Sequence, residues 1–217
     1  KQFLELEAKA LRAQMNPHFI FNCMNSIKSL IQEDQREKAV VYLTTFSKLI
    51  RFLFNNADKK EISLYDELET CRLYLQLEAM RFGVQFQYEI EIDEGIDLKS
   101  VFIPALIIQP FIENSIWHGA NNKFIDISVS FSQENDQLVC VIEDNGIGIN
   151  QSLELKKRMP ELQRSIGIEN IRNRIQLLNE KYDMKSSISI EDKSDRHIDG
   201  ITGTIVTIKL KLQNRDI

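Results

Sequence analysis

The spacing of apolar residues changes once along the chain, and this change limits the folds that are open to it. Up to Gly83, apolar side chains recur every three or four residues, which is typical of helices that bury one face. From Val84 to Ile92, apolar and polar residues alternate, as in a half-buried strand. Further alternating or apolar runs follow at 125–131, 138–142, 186–191 and 204–212. The sequence therefore predicts a helical first part and a second part in which helices cover one face of a mixed sheet.

The helical part contains two long helices and a third that leads into the strands. The spacing predicts helices over 1–32 and 37–56, and a third that begins at Ser63, with Asp66 three residues on, and ends at Gly83. The second helix is apolar on several sides, so two helices alone cannot bury its surface. A four-helix bundle made by a homodimer is the simplest solution.

A proline followed by a histidine interrupts the first helix. Pro17 removes a backbone donor and clashes with the preceding turn, at a cost of roughly 3 kcal/mol in a helix interior. The apolar stripe of residues 4–15 turns polar at His18, and a new stripe begins at Ile20, so a kink would leave His18 at the edge of the bundle. An exposed imidazole is mostly neutral at cytoplasmic pH and can act as a nucleophile. On these residues alone, a polar layer that fixes helix register is an equally good explanation.

Charge and cysteine content exclude some classes of protein. The 217 residues are 43% hydrophobic, enough for a real core, and the net charge of -5 argues against nucleic acid or an anionic membrane surface as the main partner. Cys23, Cys71 and Cys140 have no metal-binding spacing, which predicts reduced core thiols. No apolar run approaches the ~18 residues of a membrane span. Because the chain begins at Lys1 without Met, inside a helical pattern, we expect a fragment of a longer, membrane-bound protein.

A glycine motif follows the apolar run at 138–142, one residue later: Asp144-Asn145-Gly146-Ile147-Gly148. A carboxylate at a strand end can accept a hydrogen bond from an exocyclic amine, and the glycines let the backbone pass close to a flat ring. In isolation, a strand-ending turn explains this motif better than a binding site does.

A second motif, residues 109–119, lies on a helix that is predicted to run from Pro104 to Gly119. Asn114 and His118 are four residues apart and so share one helical face. The neutral side-chain oxygen of Asn114 suits Mg²⁺, which prefers oxygen ligands. The alternatives are a buried amide satisfied by backbone for Asn114 and a charge near a helix C-terminus for His118.

A third motif, residues 164–170, joins a basic loop to the start of a helix. The loop, at 150–166, shows no apolar period and is expected to be mobile. Free backbone donors at a helix N-terminus bind phosphate well. The chain contains neither GxxxxGK[ST] nor the HRD and DFG motifs, which excludes P-loop proteins and the Ser/Thr/Tyr kinase fold.

The order NPHFIFN, QPFIENSIWHG, DNGIGI and SIGIENIRNRI resembles sensor histidine kinases of the LytS/YehU type. Their ATP domain belongs to the gyrase, Hsp90, histidine kinase and MutL (GHKL) superfamily. The resemblance implies ATP and Mg²⁺ as cofactors and the loop at 150–166 as the ATP lid. It also implies roles for single residues: His18 as phosphoacceptor, Asn114 as Mg²⁺ ligand, Asp144 as adenine contact, Gly146 and Gly148 as the first glycine box, Gly167 and Ile168 as the second, and His118 and Asn170 as further nucleotide contacts.

Two positions depart from the pattern of the family. Many histidine kinases of other types carry an acidic residue after the phosphoacceptor, where this chain has Phe19. Glu113 is the alternative carboxylate to take the imidazole proton, although in related ATPases that position activates water. Ser165 stands where a fuller second glycine box would have glycine.

The resemblance also implies an organisation and partners. The fold class is α+β, with a dimerisation and phosphotransfer hairpin at 1–60, a linker helix at 61–83 and a GHKL/Bergerat-type α/β sandwich at 84–217. The expected partners are a second copy of the chain and a response regulator, often of the LytTR type, with no direct contact to nucleic acid. We expect a cytoplasmic location beneath a bacterial inner-membrane sensor. The alternatives are an ATPase that works as a conformational switch and a dimeric scaffold without catalysis.

Overall fold

The computed structural model describes residues 17–56, 59–119, 124–151, 186–196 and 201–212, with a few residues between 172 and 180. At 17–18, 118–119 and 196 it describes the backbone alone. The predicted helix before Pro17, nearly all of the basic loop at 150–166 and the second glycine box lie outside these residues. So do most of the helix predicted after Gly167 and the loop that contains His197.

Three helices form the first part of the described chain: α1 (Pro17–Gln32), α2 (Arg36–Asn56) and α3 (Leu64–Phe82). The start of α3 is confirmed, because the hydroxyl of Ser63 accepts a hydrogen bond of 3.1 Å from the amide of Asp66. Gly83 ends the helix with φ +64°, a conformation that favours glycine. None of the described helices is long and apolar enough to cross a membrane.

The helices pack through a continuous apolar core. The ring of Phe19, in α1, stacks on that of Tyr74, in α3, with centroids 4.5 Å apart. In α2, Leu49 and Leu53 are buried. The three cysteines are buried and free of disulfide bonds, which confirms that they are core thiols: Cys23, Cys71 and Cys140.

Within the described residues, five strands form the predicted mixed sheet: β2 (Phe86–Ile92), β4 (Ile125–Glu134), β5 (Gln137–Asp144), β6 (Ser187–Asp192) and β7 (Thr204–Lys211). Their order in the sheet is β2-β4-β5-β7-β6. The β2–β4 pair is parallel, and the other pairs are antiparallel. The central strand β5 pairs Cys140 with Phe131 on one side and with Ile208 on the other, and all three side chains are buried.

A small second sheet ties α3 to the sheet domain. Strands β1 (Glu61–Ser63) and β3 (Phe102–Pro104) pair antiparallel. The prediction of a helix from Pro104 was wrong, because α4 (Gln109–Gly119) begins five residues later. Leu106 has φ +55° and cannot continue a helix, and the buried carboxylate of Glu67 accepts hydrogen bonds from the amides of Leu106 and Ile108.

Candidate nucleotide-binding site

Asp144 lies at the end of the central strand and is only 3% exposed. Its Oδ1 accepts hydrogen bonds from the amides of Gly146, at 2.9 Å, and Thr204, at 3.1 Å. The side chain of Ser115, in α4, also bonds to this carboxylate. Burial raises the pKa of Asp144, although these three hydrogen bonds and the nearby charge of Lys193 lower it in part. The carboxylate thus joins the glycine motif, α4 and the start of β7.

Asn145 fixes the direction in which the chain leaves the central strand. Its side-chain oxygen accepts a hydrogen bond of 2.9 Å from the amide of Asp126, and its Nδ2 donates to the carbonyl of Phe124 at 3.0 Å. Its own amide donates to the carbonyl of Asp126 at 3.3 Å. The turn after β5 is therefore tied to the start of β4.

Two glycines allow close approach around this turn. Gly203 has φ +130°, and a Cβ there would lie 2.0 Å from the carbonyl oxygen of Asp144. Gly148 has φ +79°, and a Cβ there would lie 2.6 Å from a carboxylate oxygen of Asp192. Neither position accepts a larger residue without a shift of its neighbours. Gly148 was among the predicted site residues, whereas Gly203 was not.

Helix α4 carries the second predicted motif against the same strand ends. Ser115 contacts Asp144, so the structure brings the helix motif and the glycine motif together. Asn114 is half-buried beside Ser115. His118 lies in the last turn of α4, but only its backbone is described. Gly167, Ile168 and Asn170, the predicted residues of the phosphate-binding motif, lie outside the described residues.

Glu113 is held within the domain by its own helix. Its Oε1 accepts a hydrogen bond of 2.9 Å from Nε2 of Gln109, one turn earlier. Burial raises the pKa of Glu113 to about 7; the charge of Glu78 adds to this effect, and the hydrogen bond from Gln109 opposes it. A carboxyl group in such surroundings is suited to exchange a proton near neutral pH.

Glu78 brings a second carboxylate to the buried surface of α3. It is 1% exposed and paired with Arg81, whose Nε lies 3.0 Å from a carboxylate oxygen of Glu78. Burial raises the pKa of Glu78, and the charge and hydrogen bonds of Arg81 oppose the rise. The guanidinium also lies 4.2 Å from the ring centroid of Phe82. This end of α3 therefore places charged groups close to α4.

His18 lies in the first turn of α1, at a point fixed by its neighbour. Phe19 is buried and stacks on Tyr74, so the backbone at His18 runs beside α3. The His18 side chain is outside what the structure describes. The structure therefore places the predicted phosphoacceptor segment next to the helix that also contacts α4, without setting the distance from the imidazole to the site.

Three parts of the site were not recognised from the sequence: Ser115, Gly203-Thr204 and Asp192. Ser115 follows the predicted Asn114, and Gly203-Thr204 precedes an alternating strand, but neither pattern by itself indicates a contact with Asp144. Asp192 was also missed, because an acidic residue at a strand end is common on protein surfaces. In the structure it is buried and lies against the glycine motif.

A mixed sheet with helices on one face, and a buried carboxylate at the end of its central strand, defines an α/β sandwich of the kind predicted. Two family models match this chain. Residues 6–86 match the histidine kinase family. Residues 103–214, just over half of the chain, match the family of histidine kinase-, DNA gyrase B- and HSP90-like ATPases. The chain therefore belongs to this family, and the matched residues include most of its second part.

Two relatives that are similar in sequence, LytS and BtsS, agree with the family models. The sensor protein LytS of Staphylococcus epidermidis is 39% identical over 149 residues, which are 67% of this chain and 24% of LytS. The sensor histidine kinase BtsS of Escherichia coli (strain K12) is 39% identical over 145 residues, 64% of this chain and 24% of BtsS. The solved structure of the Acinetobacter baumannii histidine kinase AdeS is 14% identical, with a TM-score of 0.47 over 90% of this chain and 96% of its own. The chain spans about a quarter of the length of LytS and BtsS, and the predicted resemblance to LytS-type sensor kinases is confirmed.

Proposed function

We propose that this chain is the cytoplasmic kinase core of a two-component sensor histidine kinase. The γ-phosphoryl group of ATP passes to a ring nitrogen of His18, ADP leaves, and the phosphoryl group then passes to an aspartate of a response regulator. Such a reaction depends mainly on positioning and on neutralising negative charge. In this proposal residues 1–60 carry the phosphoacceptor and the dimer contact, 61–83 join the two parts, and 84–217 bind ATP.

The surroundings of Asp144 carry the proposal. A buried carboxylate is joined to the amide of Gly146 and to Ser115. It belongs to the residue that the resemblance assigns to the adenine contact. A carboxylate fixed in this way has a set orientation, so it can accept a hydrogen bond from an exocyclic amine without reordering. Gly146 and Gly148 then let the ring approach the backbone. His118, Gly167, Ile168 and Asn170 are proposed as further nucleotide contacts because they match the motifs of the family.

Asn114 fits the proposed Mg²⁺ site. Its amide oxygen is a neutral ligand on α4, next to Ser115, which reaches Asp144. Mg²⁺ in phosphoryl-transfer sites is commonly held by one or two protein oxygens together with substrate phosphates and water. Within the described ranges no three His, Cys, Asp or Glu side chains gather as a metal site. When bound, the ion would neutralise phosphate charge, while Asn114 orients it.

The hairpin of α1 and α2 supports the proposed homodimer. Several large apolar side chains on these helices face solvent in the single chain, among them Phe21 at 68% and Val40 at 63% exposure. A second copy of the hairpin would cover them and complete a four-helix bundle. The other exposed apolar side chains of the hairpin are Met24, Ile31, Val41, Leu43 and Phe54.

Helix α3 is proposed to move with the ATP-binding domain. Glu67 bonds to two amides just before α4, and β1 pairs with β3, so the N-terminal half of α3 is fixed to that domain. Its contact with the hairpin includes the stack of Phe19 on Tyr74. In this proposal the ATP-binding domain swings until the γ-phosphate reaches His18. The sensor region above it and a response regulator of the LytTR type belong to the proposal through the resemblance alone.

An ATPase that works as a conformational switch is the second candidate. The observation that favours it is Glu113, which is oriented by Gln109 and stands where related ATPases activate water. In the kinase, the same carboxylate is the proposed acceptor of the imidazole proton. The two candidates therefore differ in whether phosphohistidine forms.

The deciding experiment compares this chain with its His18→Ala variant and its Asp144→Asn variant. Each is incubated with Mg²⁺ and γ-labelled ATP, and the labelled protein is then treated with acid. For a kinase we expect acid-labile label on the parent chain only. If His18→Ala still releases phosphate and no protein label forms on the parent chain, the chain is an ATPase. If the parent chain binds no nucleotide, the scaffold alternative replaces both.

A further inference from the structure

Asp192, the last residue of β6, is a buried carboxylate that receives hydrogen bonds from both directions along the chain. It is 3% exposed. Its Oδ1 accepts from the amide of Ser194 at 2.9 Å and from the hydroxyl of Ser194 at 2.6 Å. Its Oδ2 accepts from the amide of Asn150 at 2.8 Å. The amide of Ile149 also bonds to this carboxylate. Both carboxylate oxygens therefore accept hydrogen bonds from the protein itself.

The partners at Ile149 and Asn150 open a helical turn that starts at Gly148. The first amides of a helix have no partner within the helix. Here a carboxylate from a distant strand supplies it, because Asp192 and Asn150 are 42 positions apart. Gly148 lies so close that a Cβ would stand 2.6 Å from Oδ2 of Asp192. This carboxylate leaves no room for a side chain at Gly148, the second glycine of the first glycine box.

The same strand ends also hold Asp144. Asp192 pairs in register with Thr204, whose amide donates to Oδ1 of Asp144. The next residue, Lys193, forms an ion pair of 3.3 Å with Glu143. The amide of Lys193 donates to the carbonyl of Gly203 at 2.9 Å. One rigid unit thus connects the glycine turn with the carboxylate proposed to contact adenine.

We propose that Asp192 is a positioning residue of the nucleotide site, which holds the first glycine box by capping the helical turn at Gly148. The inference rests on the proposed ATP binding. Since the carboxylate occupies the amides of Ile149 and Asn150, those amides are closed to phosphate oxygens, although helix N-termini often bind phosphate. The role of Asp192 is therefore toward the adenosine half of the nucleotide. The phosphate-binding donors lie elsewhere in the chain.

The test compares Asp192→Asn with the control Asp195→Asn, which removes the same charge three residues away. Among the described contacts, Asp195 accepts a hydrogen bond only from the side chain of Asn150, at 3.2 Å. Affinities for adenosine and for the β,γ-imido analogue of ATP are measured by calorimetry, well below the melting temperature of each variant. We expect Asp192→Asn to weaken both ligands alike, by about tenfold. Asp195→Asn should leave both affinities within about twofold of the parent chain. In the autophosphorylation assay, KM for ATP should rise in Asp192→Asn while kcat is kept.

Three results would overturn the inference. Unchanged affinities with only a lower melting temperature would make Asp192 purely structural. Tighter binding of the ATP analogue with unchanged adenosine would make its effect one of charge on the phosphates. In both of these cases the parent chain binds nucleotide, so the inference fails and the proposed function stands. If the parent chain binds neither ligand, the proposed function and this inference fail together. Should Asp192→Asn not fold, Ser194→Ala gives the same comparison, with an expected weakening of about threefold for both ligands.

Discussion

The two parts of this chain differ in whether their side chains find partners within the single chain. Around the ends of β5, β6 and β7, each buried carboxylate accepts hydrogen bonds from residues far away in sequence, as Asp144 does from Thr204 and Asp192 from Asn150. In the hairpin of α1 and α2, Phe21 and Val40 remain more than 60% exposed. Among the described residues, the strand ends thus satisfy their buried carboxylates within one chain, whereas the hairpin presents apolar side chains that a partner helix would cover in the proposed dimer. Changes in the first part should act within one chain, and changes in the second should act on association.

The largest effect is expected from Gly203→Ala, because Gly203 lies directly against the backbone of Asp144. A Cβ at this position would lie 2.0 Å from the carbonyl of Asp144, and φ is +130°. The strain and the displaced strand end should lower the free energy of unfolding by about 3 kcal/mol or more, and ATP binding should be lost. Urea denaturation and calorimetry measure both. Gly95→Ala is the matched control, because a Cβ there meets nothing within 4 Å, and it should behave like the parent chain.

The next effect is expected from Glu67→Ala, which removes a fully buried carboxylate. The amides of Leu106 and Ile108 would lose their acceptor, at a cost of roughly 2–5 kcal/mol in the free energy of unfolding. Glu69→Gln, on the same helix, breaks only the more exposed ion pair with Arg72 and should cost less than about 1 kcal/mol. Equal losses in urea denaturation would show that α3 is not fixed to the sheet domain through Glu67.

A smaller change in stability, but a clear change in association, is expected from Phe54→Glu. The side chain is 62% exposed in the single chain, so the substitution should alter folding by less than about 1 kcal/mol. In the proposed dimer contact, the new negative charges of the two copies would repel each other. Sedimentation should therefore show a monomer, and calorimetry should show an unchanged affinity for ATP. Lys48→Glu, on an exposed position of the same helix, tests whether charge alone is enough. A dimer that survives Phe54→Glu would place the contact elsewhere.

The smallest effect concerns pH and Asp192. Burial raises the pKa of this carboxyl, but the hydrogen bonds from Ser194 and from the amides of Asn150 and Ile149 outweigh it, so that the pKa is below its ordinary value. A depressed carboxyl pKa stabilises the fold fully above the unfolded pKa of about 4, and this contribution is lost as the pH falls through the folded value. The stability difference between the parent chain and Asp192→Asn should therefore be constant from about pH 7 to 5 and shrink toward pH 3. A difference that grows as the pH falls would contradict this.

Most of the fold could be predicted from local patterns in the sequence. Alternation predicted β4 and β7, a continuous apolar run predicted β5, and the Ser63–Asp66 spacing marked the start of α3. One strand was placed too early, since Gly83–Gln85 forms a short 3₁₀ turn and β2 begins at Phe86. These patterns are readable because each reports which face of a single element is buried.

The site could be predicted only in part. Asp144, Gly146, Gly148, Glu113 and Asn114 stood in recognisable motifs, and Ser115 brings the two motifs together through Asp144. The roles assigned to these five residues stay predictions, as do those assigned to His18, His118, Gly167, Ile168 and Asn170. The contacts of Asp192 and Gly203 had no local signal, because neither residue differs in type from many that lie on surfaces.

The sequence by itself determined the order of the described helices and of the five strands of the mixed sheet, the buried cysteines and the family, but it did not predict β1 and β3. The tertiary structure alone decided where α4 begins, which strand ends meet at Asp144 and what caps the glycine turn. Each of these depends on a hydrogen bond between distant residues: 39 positions apart for Glu67 and Leu106, 42 for Asp192 and Asn150, and 60 for Asp144 and Thr204. Buried polar groups require partners, and folding, not local spacing, selects which distant group supplies them.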